Sequence, residues 1–147
     1  MKRAFVFVIL AACSKAPPAD PVKLPKVGLV VSVPGATIKD SIAGTGNEVV
    51  ADSLGALMVD ADKDTPTEEL VRTRLQATKS ENIAIENLAD GFAVTYEIAG
   101  SKLRFYNLEA HRKIGDAWFA CRSTSTPSSY AARRAAALAA CKSLAKS

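Results

Sequence analysis

Residues 92–123, FAVTYEIAGSKLRFYNLEAHRKIGDAWFACRS, decide the fold. Phe92, Val94, Tyr96 and Ile98 recur at every second position, with Ala93, Thr95 and Glu97 between them. That period marks a strand with one buried face. Gly100-Ser101 predicts a two-residue type II′ turn. The return strand, 102–113, carries Arg104, Tyr106, Leu108, Ala110 and Arg112 on one face. Its other face carries Leu103, Phe105, Asn107, Glu109 and His111. Neither face is wholly apolar, which predicts a bulge or a change of burial near Asn107. Gly115-Asp116 turns the chain again, and 117–123 completes an antiparallel three-stranded meander.

Working towards the N-terminus, Thr65-Pro66-Thr67-Glu68 predicts a helix over 66–79. Thr65 caps it, Pro66 suits the first helical position, and Glu68 completes a capping box. Leu70, Val71 and Leu75 give it an apolar seam that a sheet must cover. Residues 27–33 (VGLVVSV), 48–52 and 56–61 read as strands, 36–47 as a loop, and 82–88 as a weakly alternating strand. Asp60, Asp62 and Asp64 alternate before the helix. Thr65 and Val71 stand where a calcium-binding loop needs glycine and glutamate, so the run reads as a polar turn.

Downstream, 128–145 reads as an alanine-rich helix with a narrow stripe of Ala131, Ala135, Leu138, Cys141, Leu144 and Ala145. The expected fold class is α+β, an antiparallel sheet flanked by two helices, with the C-terminal helix linked by a disulfide to the last strand. It is similar to the PsbP-like fold in its apolar first strand ending Val33-Pro34-Gly35, the helix at Pro66, the alternation at Phe92–Ile98 and the terminal helix. Seven of the nine aromatic residues lie between Phe92 and Tyr130, which predicts a core richest in that half.

The first residues are of a different kind. Lys2 and Arg3 precede an uninterrupted apolar run, Ala4 to Ala12. Nine residues cannot span a bilayer core, which needs about 20, but they suit a secretory signal. The run ends Leu10-Ala11-Ala12-Cys13, which resembles the lipobox of bacterial lipoproteins. That resemblance implies removal of 1–12, a diacylglycerol on the Cys13 thiol and an acyl-anchored mature chain. Ser14, in place of Asp, implies the outer membrane facing the periplasm. Residues 13–26 then read as the lipidated cysteine and a Pro-rich tether, with 27–147 as the single domain.

The chain carries 19 basic and 15 acidic residues. Loss of Lys2 and Arg3 with the signal leaves a small excess, so nucleic acid is not an expected partner. Of three cysteines, Cys121 and Cys141 remain once Cys13 carries lipid. An even pair in an exported chain predicts a disulfide. His111 is the lone histidine, and no metal-ligand spacing, catalytic motif or phosphate loop occurs. No cofactor is implied and no enzyme is expected. Tyr130, Arg133 and Arg134 are the candidate partner surface. The expected role is a non-enzymatic, lipid-anchored envelope protein that binds a protein partner or supports an envelope complex. A periplasmic small-ligand module and an immunity-type lipoprotein that blocks a toxin are the alternatives.

Overall fold

The meander of the sequence is the middle of a larger sheet. The computed structural model describes residues 19–125 and 130–147. Its strands are β1 (Pro21–Leu24), β2 (Leu29–Ser32), β3 (Thr37–Asp40), β4 (Asn47–Ala51), β5 (Gly55–Ala61), β6 (Glu81–Leu88), β7 (Gly91–Ala99), β8 (Arg104–Ile114), β9 (Ala117–Ser125) and β10 (Ala145–Lys146). Helix α1 (Glu68–Ala77) follows β5, and α2 (Tyr130–Ser143) follows β9. Seven strands form one antiparallel sheet in the order β3-β4-β5-β9-β8-β7-β6, and β1-β2-β10 form a second. The fold is α+β, with two helices and antiparallel sheets.

Register assigns the faces, because directly paired residues point to the same side. Val59, Cys121 and Ala110 are paired across β5, β9 and β8. This side packs against α2 and the small sheet, with Leu24, Val31, Val49, Leu57 and Cys141 in one buried cluster. Phe92, His111 and Ala120 are paired across β7, β8 and β9 on the opposite side. There α1 lays Val71 and Leu75 over Phe92 and Val94 in a second, smaller cluster. The large sheet is thus the middle of three layers.

The C-terminal end of α2 is held from several directions. Cys141 is joined to Cys121 of β9, with Cα atoms 5.7 Å apart. Arg112 Nη1 donates to the carbonyls of Cys141, Lys142 and Leu144 at 3.0, 2.7 and 2.9 Å. These are the helix-end carbonyls that lack partners within the helix. The same guanidinium grips both carboxylate oxygens of Asp90. Ser143 Oγ accepts from the Ser32 N–H at 2.9 Å, and β10 then pairs with β2.

Several expectations are corrected. The folded part begins before Val27, because β1 occupies residues expected as tether and Leu24 is fully buried. A Pro-rich segment is already extended, and Pro21 at the first position of an edge strand forgoes no essential donor. Residues 37–40 form β3, not a loop; Ile38 alone is half-buried there, so no period was available to read. The α1 N-cap is Thr67, not Thr65, and its Oγ1 accepts from Leu70 N–H at 3.2 Å. Capping two residues later places Glu68 and Glu69 together in the first turn, where negative charge suits the helix dipole.

The turn between β7 and β8 spans 100–103, closed by Gly100 N–H to Leu103 O at 2.8 Å, and is longer than the two-residue turn expected. Pairing runs without a break through Asn107, where burial changes but no bulge occurs; the register shift lies in β6 between Glu81 and Ala84. The buried stripe is Ala137, Ala140 and Cys141 of α2 with Leu144 just after it, whereas Ala135 of α2 and Ala145 of β10 are exposed and the Ala131 side chain lies outside the described residues. Repeated alanine sets no helical phase, and the disulfide and Leu144 do. The core is also less aromatic than expected. Its largest fully buried side chains include Leu24, Leu54, Leu57, Val31 and Val49 from the first half.

Candidate functional site

Beneath one edge of α1 the sheet carries charge where an apolar surface would be simplest. Glu109 and His111 alternate onto the α1 face of β8, opposite Arg122 and Ala120 of β9. Asp62 follows β5, and its N–H donates to Trp118 O at 2.9 Å, which fixes where its carboxylate points. Arg74 reaches down from α1. At Gly91, an added Cβ would collide with His111 O, so glycine lets β7 lie close beside the His111 backbone. The Phe92 ring then stacks at a tilt, 5.1 Å from the imidazole.

The distances define one network. His111 Nδ1 lies 2.7 Å from Asp62 Oδ2, and His111 Nε2 lies 2.6 Å from Glu109 Oε1. Arg74 Nη2 donates to both Glu109 oxygens, at 2.7 and 2.8 Å. Glu109 is 1 % exposed and His111 is 3 % exposed. An ionised carboxylate only accepts, so with both carboxylates ionised each ring nitrogen donates and the ring is the doubly protonated imidazolium. Burial opposes charge on both groups. The hydrogen bonds from His111 and Arg74 outweigh it at Glu109 and lower its pKa to about 2. At His111 burial acts downward, but the bonds to Asp62 and Glu109 prevail and raise the pKa above 6.5.

This arrangement has a chemical consequence. A general base needs a free nitrogen lone pair, and both His111 nitrogens are engaged with carboxylate oxygens, Asp62 Oδ2 and Glu109 Oε1. Arg122 is less committed. Its Nη2 stands 3.7 Å from Asp62 and its Nε stands 3.7 Å from Glu109. Those distances exceed a hydrogen bond. The Arg122 side chain is 41 % exposed. It faces an open cleft of about 230 Å³ whose walls include Asp62, Thr65, Pro66, Leu70, Arg74 and Arg122. Among the described residues, no group of three His, Cys, Asp or Glu side chains is arranged to hold a metal ion.

A second feature shares this sheet face. Ile98 of β7 and Phe105 of β8 are directly opposed. They are 38 % and 37 % exposed, and Leu103 in the adjoining turn is 55 % exposed. Phe105 and His111 are six residues apart on one face of β8, or about 20 Å. Phe105 and Ile98 at the hairpin end and the ionic cleft therefore lie on the sheet face that α1 packs against.

The expected site residues are distributed otherwise. Cys121 and Cys141 are joined. Cys13 and the signal at 1–12 lie outside the described residues, as does the Tyr130 side chain. Arg133 runs over Gly55, where an added Cβ would meet Arg133 Nη1 at 3.1 Å. Arg134 lines a small cleft with Ala84, Thr95 and Leu108 on the β6–β7 side. The two arginines are adjacent in sequence but serve opposite flanks of α2.

The network was not foreseen from sequence. The shared face of Glu109 and His111 was legible, but nothing local reports that Asp62 and Arg74 meet them. No helix among the described residues is long and apolar enough to cross a membrane. No protein-family model matches the chain, and the search of curated proteins finds no significant similarity.

Proposed function

We propose that this chain is a lipid-anchored protein of the bacterial envelope, held through Cys13, whose domain binds a protein partner and performs no chemistry of its own. The observation that carries the reading is the joining of Cys121 to Cys141. A structural disulfide belongs to an oxidising compartment, and it leaves Cys13, at the end of Leu10-Ala11-Ala12-Cys13, as the third cysteine. The locked imidazole of His111 argues against acid–base catalysis. The exposed group of Ile98, Leu103 and Phe105 is the kind of apolar surface that protein partners cover.

Intact mass of the exported protein tests the anchor. Loss of residues 1–12 together with added acyl mass is the expected result, and Cys13→Ala should leave the membrane fraction. A chain that keeps Met1, carries no lipid and sediments identically with Cys13→Ala contradicts the reading.

A further inference from the structure

We infer that the cleft between α1 and the chain leading into it is a receptor for a carboxylate bearing an aliphatic group, with Arg122 as the principal anion contact and Leu70 as the apolar wall. The inference deepens the partner-binding reading, because it names the chemistry that the partner presents.

Charge is the first argument. Arg74, Arg122 and the His111 imidazolium face two carboxylates, Asp62 and Glu109. The rim adds Lys63 and Asp64, which offset each other. One positive charge is left over, so the cleft matches a single anion. Hydrogen bonding singles out which group carries that charge. Arg74 is committed to Glu109, and His111 to both carboxylates. Arg122 makes no hydrogen bond to another described residue and stands 3.7 Å from each carboxylate. Its planar fork of N–H donors suits bidentate capture of a carboxylate.

Size and polarity narrow the ligand. The cleft holds about 230 Å³, below the usual range of roughly 300–1,000 Å³ for sites that enclose whole small molecules. It suits one terminal group. Leu70 is 63 % exposed and lines the same cleft beside Val71 and Pro66. An isolated inorganic anion would leave that apolar wall in water. A carboxylate with a branched aliphatic substituent covers it.

The test uses the full-length protein and two-dimensional NMR of the arginine side-chain N–H groups. The probes are isovalerate, an acetylated dipeptide ending in leucine with a free carboxylate, the same dipeptide amidated, and acetate as the anion without an aliphatic group. Saturable shifts at Arg122 with the two acids, and none with the amide, are expected. Arg122→Gln should weaken acid binding by about tenfold or more. Leu70→Ser, a change at an exposed position, should weaken isovalerate binding but leave acetate binding unchanged. Tighter binding of the peptide identifies a chain terminus as the source, and tighter binding of isovalerate identifies a free acid; both uphold the carboxylate site. Equal binding of acid and amide, or undiminished binding in a folded Arg122→Gln protein, overturns it. Failure here with cellular cross-links to a partner retained removes this inference alone. Acid binding without any cross-linked partner removes the partner reading instead.

Discussion

Glu109 and His111 sit two positions apart on β8, point to the same side of the sheet, and meet at 2.6 Å with almost no exposure to solvent. A buried carboxylate alone would be costly. Here it is answered by the imidazolium and by Arg74, and Asp62 completes the shell around the ring. The consequence is mechanical as well as electrostatic. The connection after β5 and the middle of α1 are both tied to the central strands through charged groups. The apolar seam of α1 contributes two buried side chains, Val71 and Leu75, so the network supplies much of what orients the helix.

The network makes stability depend on pH in two directions. The pKa of His111 is raised above 6.5 in the folded state, so its contribution is complete below 6.5 and is lost as pH rises through the folded value. The pKa of Glu109 falls from 4.5 to about 2, so its contribution is complete above 4.5 and fades as pH falls towards 2. Asp90, lowered by its hydrogen bond to Arg112, acts in the same direction on the acid side. Urea unfolding should therefore show greatest stability between 4.5 and 6.5. NMR titration of the single imidazole should give a midpoint above 6.5. A midpoint below that value contradicts the paired geometry.

Reduction of the disulfide should loosen α2 before the sheet. Closing a span of 20 residues contributes roughly 3 kcal/mol through the unfolded chain. Cys121→Ala with Cys141→Ala should lower unfolding free energy by about that amount and speed amide exchange in α2 and β10 first. Uniform loss of protection across all strands would show that α2 is not a separate cooperative unit.

Arg112 offers a complementary check on the same helix end. Arg112→Gln removes the three carbonyl contacts and the Asp90 pair together. Hydrogen bonds to charged groups are each worth about 1.5–3 kcal/mol net. A loss of about 3 kcal/mol in chemical unfolding, with the disulfide still formed, is expected. A loss under about 1 kcal/mol would assign the fixing of α2 to the disulfide and Leu144 alone.

What the sequence disclosed follows the reach of its patterns. Strict alternation from Phe92 to Ile98 and the apolar seam at Leu70, Val71 and Leu75 report local geometry, and β7 and α1 follow them, except that Leu70 is left exposed and only Val71 and Leu75 are buried. The pairing of Cys121 with Cys141 followed from counting thiols, and the structure joins them. Short strands without a period, β1, β3 and β10, exist because a neighbour pairs with them. The ionic site was hidden for a related reason. Asp62 and His111 are 49 residues apart, and their meeting depends on β5, β9 and β8 lying side by side. Arg74 lies one residue from the buried Leu75 on α1, and nothing in its local pattern reports that the sheet beneath carries Glu109.

In the function proposed above, an anchored domain presents its α1 face to a protein partner. Photo-crosslinking in cells, with a photoreactive amino acid at Phe105, at Leu70 or at Ala139 on the exposed side of α2, tests it most directly. A discrete adduct is expected from positions 105 and 70, none from 139, and loss of the adduct when Cys13→Ala releases the protein from the membrane. Adducts from position 139 alone, or adducts unchanged in Cys13→Ala, would contradict it.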